Sequence, residues 1–358
     1  MTFTITPHTS PVSTQAREKM LEDPGFGRVF TDHMVTLRWT KDRGWHDGKV
    51  TARAPLPIDP ACAVLHYAQE VFEGMKAYRT AKGEIVLFRP DKNATRFARS
   101  AERLAMPAMS ESLFVEAVEA LVRIDKDWVP SGAGSLYLRP FMFASEAFLG
   151  VRPAQEYIFC VIACPVGPYF KGGDKPLKLW VSDNYTRAAP GGTGAAKCGG
   201  NYAASLIAQA EATEHGCDQV VFLDAAEHRW VEELGGMNLF FVMNDGSILT
   251  PPLTGTILPG ITRTSIIEIA RDLGMKVSEA PYTLDQWRSD AESGKLAEAF
   301  ACGTAAVIAS IGEIVSSTGS FRVNNNAQES PVAKKLKEQL VGIQRGSIAD
   351  SRGWVRKV

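Results

Sequence analysis

The sequence has no apolar stretch long enough to cross a bilayer. Its longest, Tyr157 to Val166, is about half of the ~20 residues a spanning helix needs. It also lacks bulk charge. Lys+Arg number 39 and Asp+Glu 40, so composition supplies no field that would gather nucleic acid or an anionic membrane. The opening Met1-Thr-Phe-Thr-Ile-Thr-Pro-His8 has no basic segment followed by an apolar one, so neither a signal nor a transit peptide is expected. Cysteine is sparse and unclustered. Cys62, Cys160, Cys164, Cys198, Cys217 and Cys302 form no C-x-x-C pair and read as small apolar core residues, which fits a reducing cytoplasm. The six histidines are dispersed, with no H-E-x-x-H or similar spacing, and no metal is expected.

What remains is an ordinary globular chain of 358 residues, 45% hydrophobic, long enough for two domains. Residues 1–25 are polar and read as an arm with little structure. Met34 to Trp39 alternates as a strand, and Asp47-Gly48 reads as the hairpin turn before Lys49. Helical periodicity covers Lys92 to Met106 and Glu111 to Val122; strands are expected over Ser135–Phe143 and Tyr157–Cys164. The Gly- and Pro-rich stretch from Gly167 to Pro176 is the best linker. It suggests a small N-terminal domain (1–167), a linker (168–176) and a larger C-terminal domain (177–358) that carries a Gly-rich loop and Lys197. In that second half, strands are expected at Leu177–Ser182, Gln219–Leu223, Trp230–Leu234 and Met237–Val242. A helix from Tyr202 stops at Gly216, another follows Leu258-Pro-Gly260, and Asn244-Asp-Gly246 marks a hairpin. Ala299 to Ile314 reads as mostly strand, and a last helix covers Pro331 to Ile343. Strands and helices mix in both halves, with hairpins, so the class is α+β.

No G-x-S-x-G, Walker A or G-x-G-x-x-G motif is present. The nearest approach, Gly192-Thr-Gly-Ala-Ala-Lys197-Cys-Gly-Gly-Asn-Tyr202, puts a single lysine among small residues ahead of an apolar helix. A solvated lysine on a flexible loop has the same composition. A Schiff-base lysine needs such a setting too, because an ordinary lysine near pKa ~10.4 must be lowered before its amine attacks a carbonyl. Pyridoxal 5'-phosphate (PLP) chemistry would need three further groups, and candidates exist for each. Glu232 and Glu233 are adjacent on a strand, so one should point inward and require a cationic partner. Leu258-Pro-Gly-Ile-Thr262 opens a helix whose first N–H groups suit an anion, although Thr262 also reads as a plain cap. Gly303-Thr304-Ala305 could present two backbone N–H groups to a carboxylate or phosphate.

In order along the chain, the sequence carries Phe26-Gly-Arg-Val-Phe30, His66-Tyr67, Phe72-Glu-Gly-Met-Lys76, Asn93 with Arg96, Leu136-Tyr-Leu-Arg-Pro140, Leu149-Gly-Val151, Cys164-Pro-Val-Gly-Pro-Tyr169, Lys197 to Tyr202, Glu233 to Phe240, Leu258 to Arg263 and Gly303-Thr-Ala305. Together these resemble the fold-type IV PLP enzymes, and among them the branched-chain amino acid aminotransferases, over nearly the whole chain. The resemblance implies a two-domain fold and transamination of leucine, isoleucine and valine with 2-oxoglutarate. It implies Lys197 as the Schiff-base lysine, Tyr202 as donor to the PLP ring oxygen and Glu233 as partner of the pyridine nitrogen. Arg96, Ile261, Thr262 and Thr304 would hold the phosphate, and the Thr304 and Ala305 N–H groups the substrate carboxylate. Phe26, Tyr67, Phe72, Tyr137 and Tyr169 would wall the side-chain pocket, with Arg139 near the distal carboxylate of glutamate. Leu149 and Val151 would reach a partner subunit's site, implying at least a homodimer.

The sequence departs from the family pattern in places. Ala306-Val-Ile-Ala309 stands where mammalian members carry a redox C-x-x-C, and Gly236 stands where some relatives carry Thr. Two readings within the fold, a D-amino-acid aminotransferase and an aminodeoxychorismate lyase, share the lysine and the glutamate. They do not share Phe72-Glu-Gly-Met-Lys76 or Tyr137-x-Arg139. A non-catalytic phosphate- or nucleotide-binding module is the reading from another class.

Overall fold

A computed structural model describes residues 3–167, 175–323 and 330–358. Their contacts divide the chain into two compact units. One contains the described residues up to 167 together with 196–199 and 342–358; the other contains 175–195 and 200–341 less the undescribed stretch. This differs from a single cut at the Gly/Pro-rich stretch, most of which lies outside the described residues. The reason is long-range pairing. The strand Val355–Lys357 returns antiparallel to Ile85–Phe88. Residues around Lys197 bond to the strand Glu70–Phe72, with Phe72 N–H donating to the Lys197 carbonyl at 3.0 Å. Local composition marks where a chain can bend, and it carries no trace of either return.

The first unit is a nine-stranded sheet. Its central antiparallel strands, Ser135–Ala144 and Glu156–Val166, are flanked on one side by His33–Thr40 and Gly44–Ala52 and on the other by Met75–Arg79 and Ile85–Phe88. Two helices cover it. Pro90–Arg103 has Pro in its first turn and buries Ala94, Phe97 and Ala101 on one face. Glu111–Ile124 starts at Ser110, whose hydroxyl accepts from Leu113 N–H at 3.3 Å. Phe97, Phe114 and Phe159 meet with ring centroids 5.2–5.9 Å apart, and each is fully buried. Burying each ring contributes about 1.5–3 kcal/mol.

Two expectations are corrected here. The stretch 1–25 is not structureless: it holds the helix Thr14–Glu22, capped by Ser13, and the short strand Thr4–Ile5 on the sheet edge. Asp47-Gly48 is not the hairpin turn, which falls between Thr40 and Gly44. Asp47 lies inside the strand Gly44–Ala52 at φ 52°, where the register slips by one residue. Asp-Gly tolerates the left-handed conformation, and a bulge uses that tolerance as readily as a turn does.

The second unit is also nine-stranded. Val231–Leu234, Gln219–Leu223, Leu177–Val181, Val307–Ser316, Leu296–Gly303 and Asn238–Met243 follow one another, and Glu233 pairs back to Asn238, so these six strands close a ring. The expected 299–314 segment is two of these strands, folded back at Thr304–Ala306. The helix Leu284–Glu292 adds to the expected elements; Thr283 and Gln286 form its capping box. Among the described residues no helix is long and apolar enough to cross a membrane, and no group of three or more His, Cys, Asp or Glu is placed to hold a metal.

Candidate active site

In the first unit Lys197 is set by its backbone. Its N–H donates to Ser100 Oγ at 2.9 Å, its carbonyl accepts from Phe72, and its Nζ lies 4.8 Å from the Phe72 ring centre. Burial pushes its amine down to about 8, Arg96 pushes the same way, and Glu73 opposes them. Glu73 has no exposed surface. It takes Arg96 Nε and Nη2 in a fork at 2.7 and 2.8 Å, with Asn93 Nδ2 at 2.7 Å. Arg96 is therefore held by Glu73, in the turn between the strands Glu70–Phe72 and Met75–Arg79.

Tyr137 and Arg139 point the same way, as strand alternation requires. Arg139 donates to the Tyr137 hydroxyl at 3.1 Å, and its guanidinium lies 4.7 Å from the Phe72 ring. Arg139 Nε is buried with no hydrogen-bond partner among the described residues. Phe26 packs edge-on to Tyr137 at 5.1 Å. Gly74 makes room for the Tyr137 hydroxyl: a Cβ there would sit 2.1 Å from it and would push that ring aside. The structure thus gathers Lys197, Arg96, Phe72, Tyr137, Arg139 and Phe26. Tyr67 instead bonds the Leu149 carbonyl at 2.6 Å, and Leu149 and Val151 are 65% and 88% exposed. Tyr169 lies outside the described residues.

In the second unit Glu233 is 2% exposed. Its Oε1 faces Arg187 Nη1 at 2.9 Å and accepts from Leu258 N–H at 2.8 Å. Both contacts stabilise negative charge on that oxygen. Arg187 is the cationic partner that a buried glutamate required, but the sequence could not name it: it sits in irregular chain 46 residues away. The expectation that only one of the two glutamates is buried is corrected. Glu232 is 7% exposed, because the whole strand Val231–Leu234 is covered on both faces.

The Gly-rich loop approaches protein here. A Cβ on Gly194 would lie 2.3 Å from the Thr256 carbonyl oxygen, and Arg187 donates to both the Gly194 and Thr256 carbonyls. The helix Ile261–Asp272 begins after Gly260, which has no side chain to cap its first N–H groups; Thr262 is buried in its first turn. Asn238 ties this start to the ring by donating to the Leu258 carbonyl at 3.1 Å. Cys302 pairs with Asn238 across the strands, which puts the Gly303–Ala305 turn at the same end of the ring as Glu233. Tyr202 lies beside Gly236.

The family model of amino-transferase class IV matches residues 70–314, and the chain belongs to that family. A probable branched-chain-amino-acid aminotransferase of Streptomyces coelicolor is 54% identical over 356 residues, 99% of this chain and 98% of that one. Within the class, then, the chain belongs among the branched-chain-amino-acid aminotransferases. The fold matches the Escherichia coli branched-chain amino acid aminotransferase at TM-score 0.72 and 29% identity, over 90% of this chain and 98% of that one. It also matches the enzyme of Thermobaculum terrenum in its PLP-form at 0.71 and 26%, over 90% and 97%. The two-domain α+β architecture expected from the sequence is borne out.

Proposed function

We propose that this chain is a PLP-dependent aminotransferase that moves an amino group between leucine, isoleucine or valine and 2-oxoglutarate. The observation that carries this is Lys197, a part-buried amine lowered to about 8 beside an arginine–glutamate fork. The donor set fits the cofactor: a low-pKa amine, a carboxylate fixed by Arg187, and a helix start without a side-chain cap. When bound, the cofactor supplies a protonated ring that takes up electrons from the substrate α-carbon.

The residues supply the rest. At pH 7 an amine of pKa near 8 is neutral in about one molecule in ten, against roughly one in 3,000 at 10.5. Lys197 therefore has a usable lone pair, and its amine would take a proton from the substrate α-carbon and return it. Glu233 would keep the pyridine nitrogen of the bound cofactor protonated, and Tyr202 would donate to its ring oxygen. Arg96, Ile261, Thr262 and Thr304 would hold the phosphate, while the Thr304 and Ala305 N–H groups would receive the substrate carboxylate. Phe26, Phe72 and Tyr137 offer an aliphatic side chain apolar surface. Arg139 on the same wall meets the distal carboxylate of glutamate, so one pocket serves both halves of a ping-pong cycle.

Leu149 and Val151 are apolar and exposed, and Tyr67 is bonded to that same turn. This supports a homodimer in which the turn enters the partner's site. Six unpaired, buried thiols suit a cytoplasmic enzyme. The test is an amino-donor panel with 2-oxoglutarate, D-amino acids included. Turnover confined to branched-chain L-amino acids and glutamate is expected; turnover confined to D-amino acids would reject the assignment. Sedimentation of the wild type and of Val151→Asp tests the dimer: a monomeric wild type would refute it.

A further inference from the structure

Three hydrogen bonds fix the main chain around Lys197, and all their partners belong to the first unit. Ser100, one turn beyond Arg96 on the same helix, takes the Lys197 N–H, and Phe72 N–H meets the Lys197 carbonyl. The third bond lies two residues further on, where Gly199 N–H donates to Glu70 Oε1. Gly199 opens the helix Gly199–Glu214, so its N–H has no acceptor within that helix. A carboxylate is a strong acceptor for such a group and suits the positive end of a helix dipole.

Sheet pairing brings Glu70 to this place. It lies opposite Phe143, and Phe72 lies opposite Phe141, on the strand Ser135–Ala144. Opposed residues share a face, and Tyr137, Arg139, Phe141 and Phe143 alternate onto one face. Glu70 therefore stands on the wall that carries Phe72, Tyr137 and Arg139. The Phe72 ring centre has Lys197 Nζ at 4.8 Å and the Arg139 guanidinium at 4.7 Å. Glu70 is half-buried. Burial pushes its carboxyl above the usual range, and the Gly199 N–H and the charge of Arg139 pull it back. Gly199 leaves room for the contact, since a Cβ there would strike Glu70 Oε1.

We infer that Glu70 is a positioning residue for Lys197: through the Gly199 main chain it ties the segment that carries the amine to the pocket wall, without touching the reacting atoms. This rests on Lys197 being the reactive amine, as proposed above. The amine is lowered by burial first, and how deeply it is buried depends on where the main chain holds its Cα. With the Gly199 tie cut, the segment relaxes and the amine gains water, which favours its charged form. Its aim at the α-carbon also loosens, and a misplacement of ~1 Å costs about 10²-fold in rate.

Competitive acetylation of the full-length apoenzyme, read at Lys197 by mass spectrometry across the lysine titration range, tests this without substrate or turnover. The wild-type amine is expected to titrate near 8. In Glu70→Leu, which keeps bulk and removes the acceptor, it should move towards the ordinary ~10.4. The holoenzyme's kcat with leucine should fall roughly 10–100-fold at unchanged KM. Glu70→Gln retains an acceptor oxygen for Gly199 N–H and should restore the wild-type titration and most of kcat. Gly199→Ala attacks the same contact from its other side, should reproduce Glu70→Leu, and keeps the test valid where Glu70→Leu fails to fold. A wild-type titration in Gly199→Ala or Glu70→Leu, or failure of Glu70→Gln to restore it, would overturn the positioning role alone. A wild-type amine that titrates near ~10.4 would overturn it together with the reading of Lys197 as the reactive amine.

Discussion

Lys197 and Glu233 are both ionisable groups withdrawn from water, and the protein treats their charges in opposite ways. Around Lys197, burial and Arg96 disfavour the charged amine. Around Glu233, Arg187 and the Leu258 N–H favour the charged carboxylate. The difference matches the roles proposed for them. A nucleophile must give up its proton near neutral pH, whereas a group that holds another atom protonated must keep its own charge throughout. Glu73 acts at one remove: held by a fork and an amide, it fixes Arg96 and offsets part of Arg96's effect on the amine.

The most severe way to break the contrast is Lys197→Ala. Loss of the acid–base group alone should lower turnover by roughly 10²–10⁴-fold, while PLP still binds through its phosphate. Near-normal turnover, measured in single-turnover mixing, would end the mechanism.

Glu233→Ala removes the fixed charge instead. Turnover should fall by roughly 10²–10³-fold with leucine and glutamate alike, as expected for an electrostatic contact made mainly at the transition state. Arg187 would be left buried and unpaired, at a cost of about 3–5 kcal/mol in stability. Denaturant unfolding beside Glu232→Ala sharpens the result. If Glu232→Ala is the more damaging to turnover, the facing of this strand has been misassigned by one residue.

A narrower effect is expected from Arg139→Ala. A hydrogen bond to a charged group contributes ~1.5–3 kcal/mol, or about 10–150-fold. kcat/KM for glutamate should drop by that factor and the leucine half-reaction much less, since leucine offers no second carboxylate. Equal losses for both would make Arg139 a packing residue.

The smallest effect is thermodynamic. Because the folded apoenzyme lowers the Lys197 amine to about 8 from 10.5, the penalty for charging it is complete below pH 8 and is relieved as pH rises towards 10.5. Lys197→Met carries no such penalty. The apo variant should therefore melt above apo wild type at pH 7, and the gap should close by pH 10. A gap that stays constant across this range would mean that Lys197 is not perturbed.

Much of this was legible in the sequence, and the unreadable parts share a cause. Lys197, Glu233, Thr262 and Tyr137-x-Arg139 lie in motifs whose spacing is local, and the structure sets them on the expected strand, loop or helix. Arg187 has no motif: its partner is 46 residues away and its neighbours are irregular. The burial of Glu232 escaped because alternation predicts one covered face, whereas the strand Val231–Leu234 is covered on two. The bulge at Asp47 reads as a turn because the dipeptide encodes a backbone angle and not its use.

The four residues 196–199 belong to the first unit although their neighbours on both sides belong to the second. If the gene were split after residue 167, the leading fragment would fold without the carbonyl that receives Phe72 N–H and without its closing strand Val355–Lys357. The reactive amine would be synthesised on the other fragment. Complementation from two halves would thus have to thread a tetrapeptide and a chain terminus back into a finished sheet, so the lysine is inherited by one half of the gene and positioned by the other.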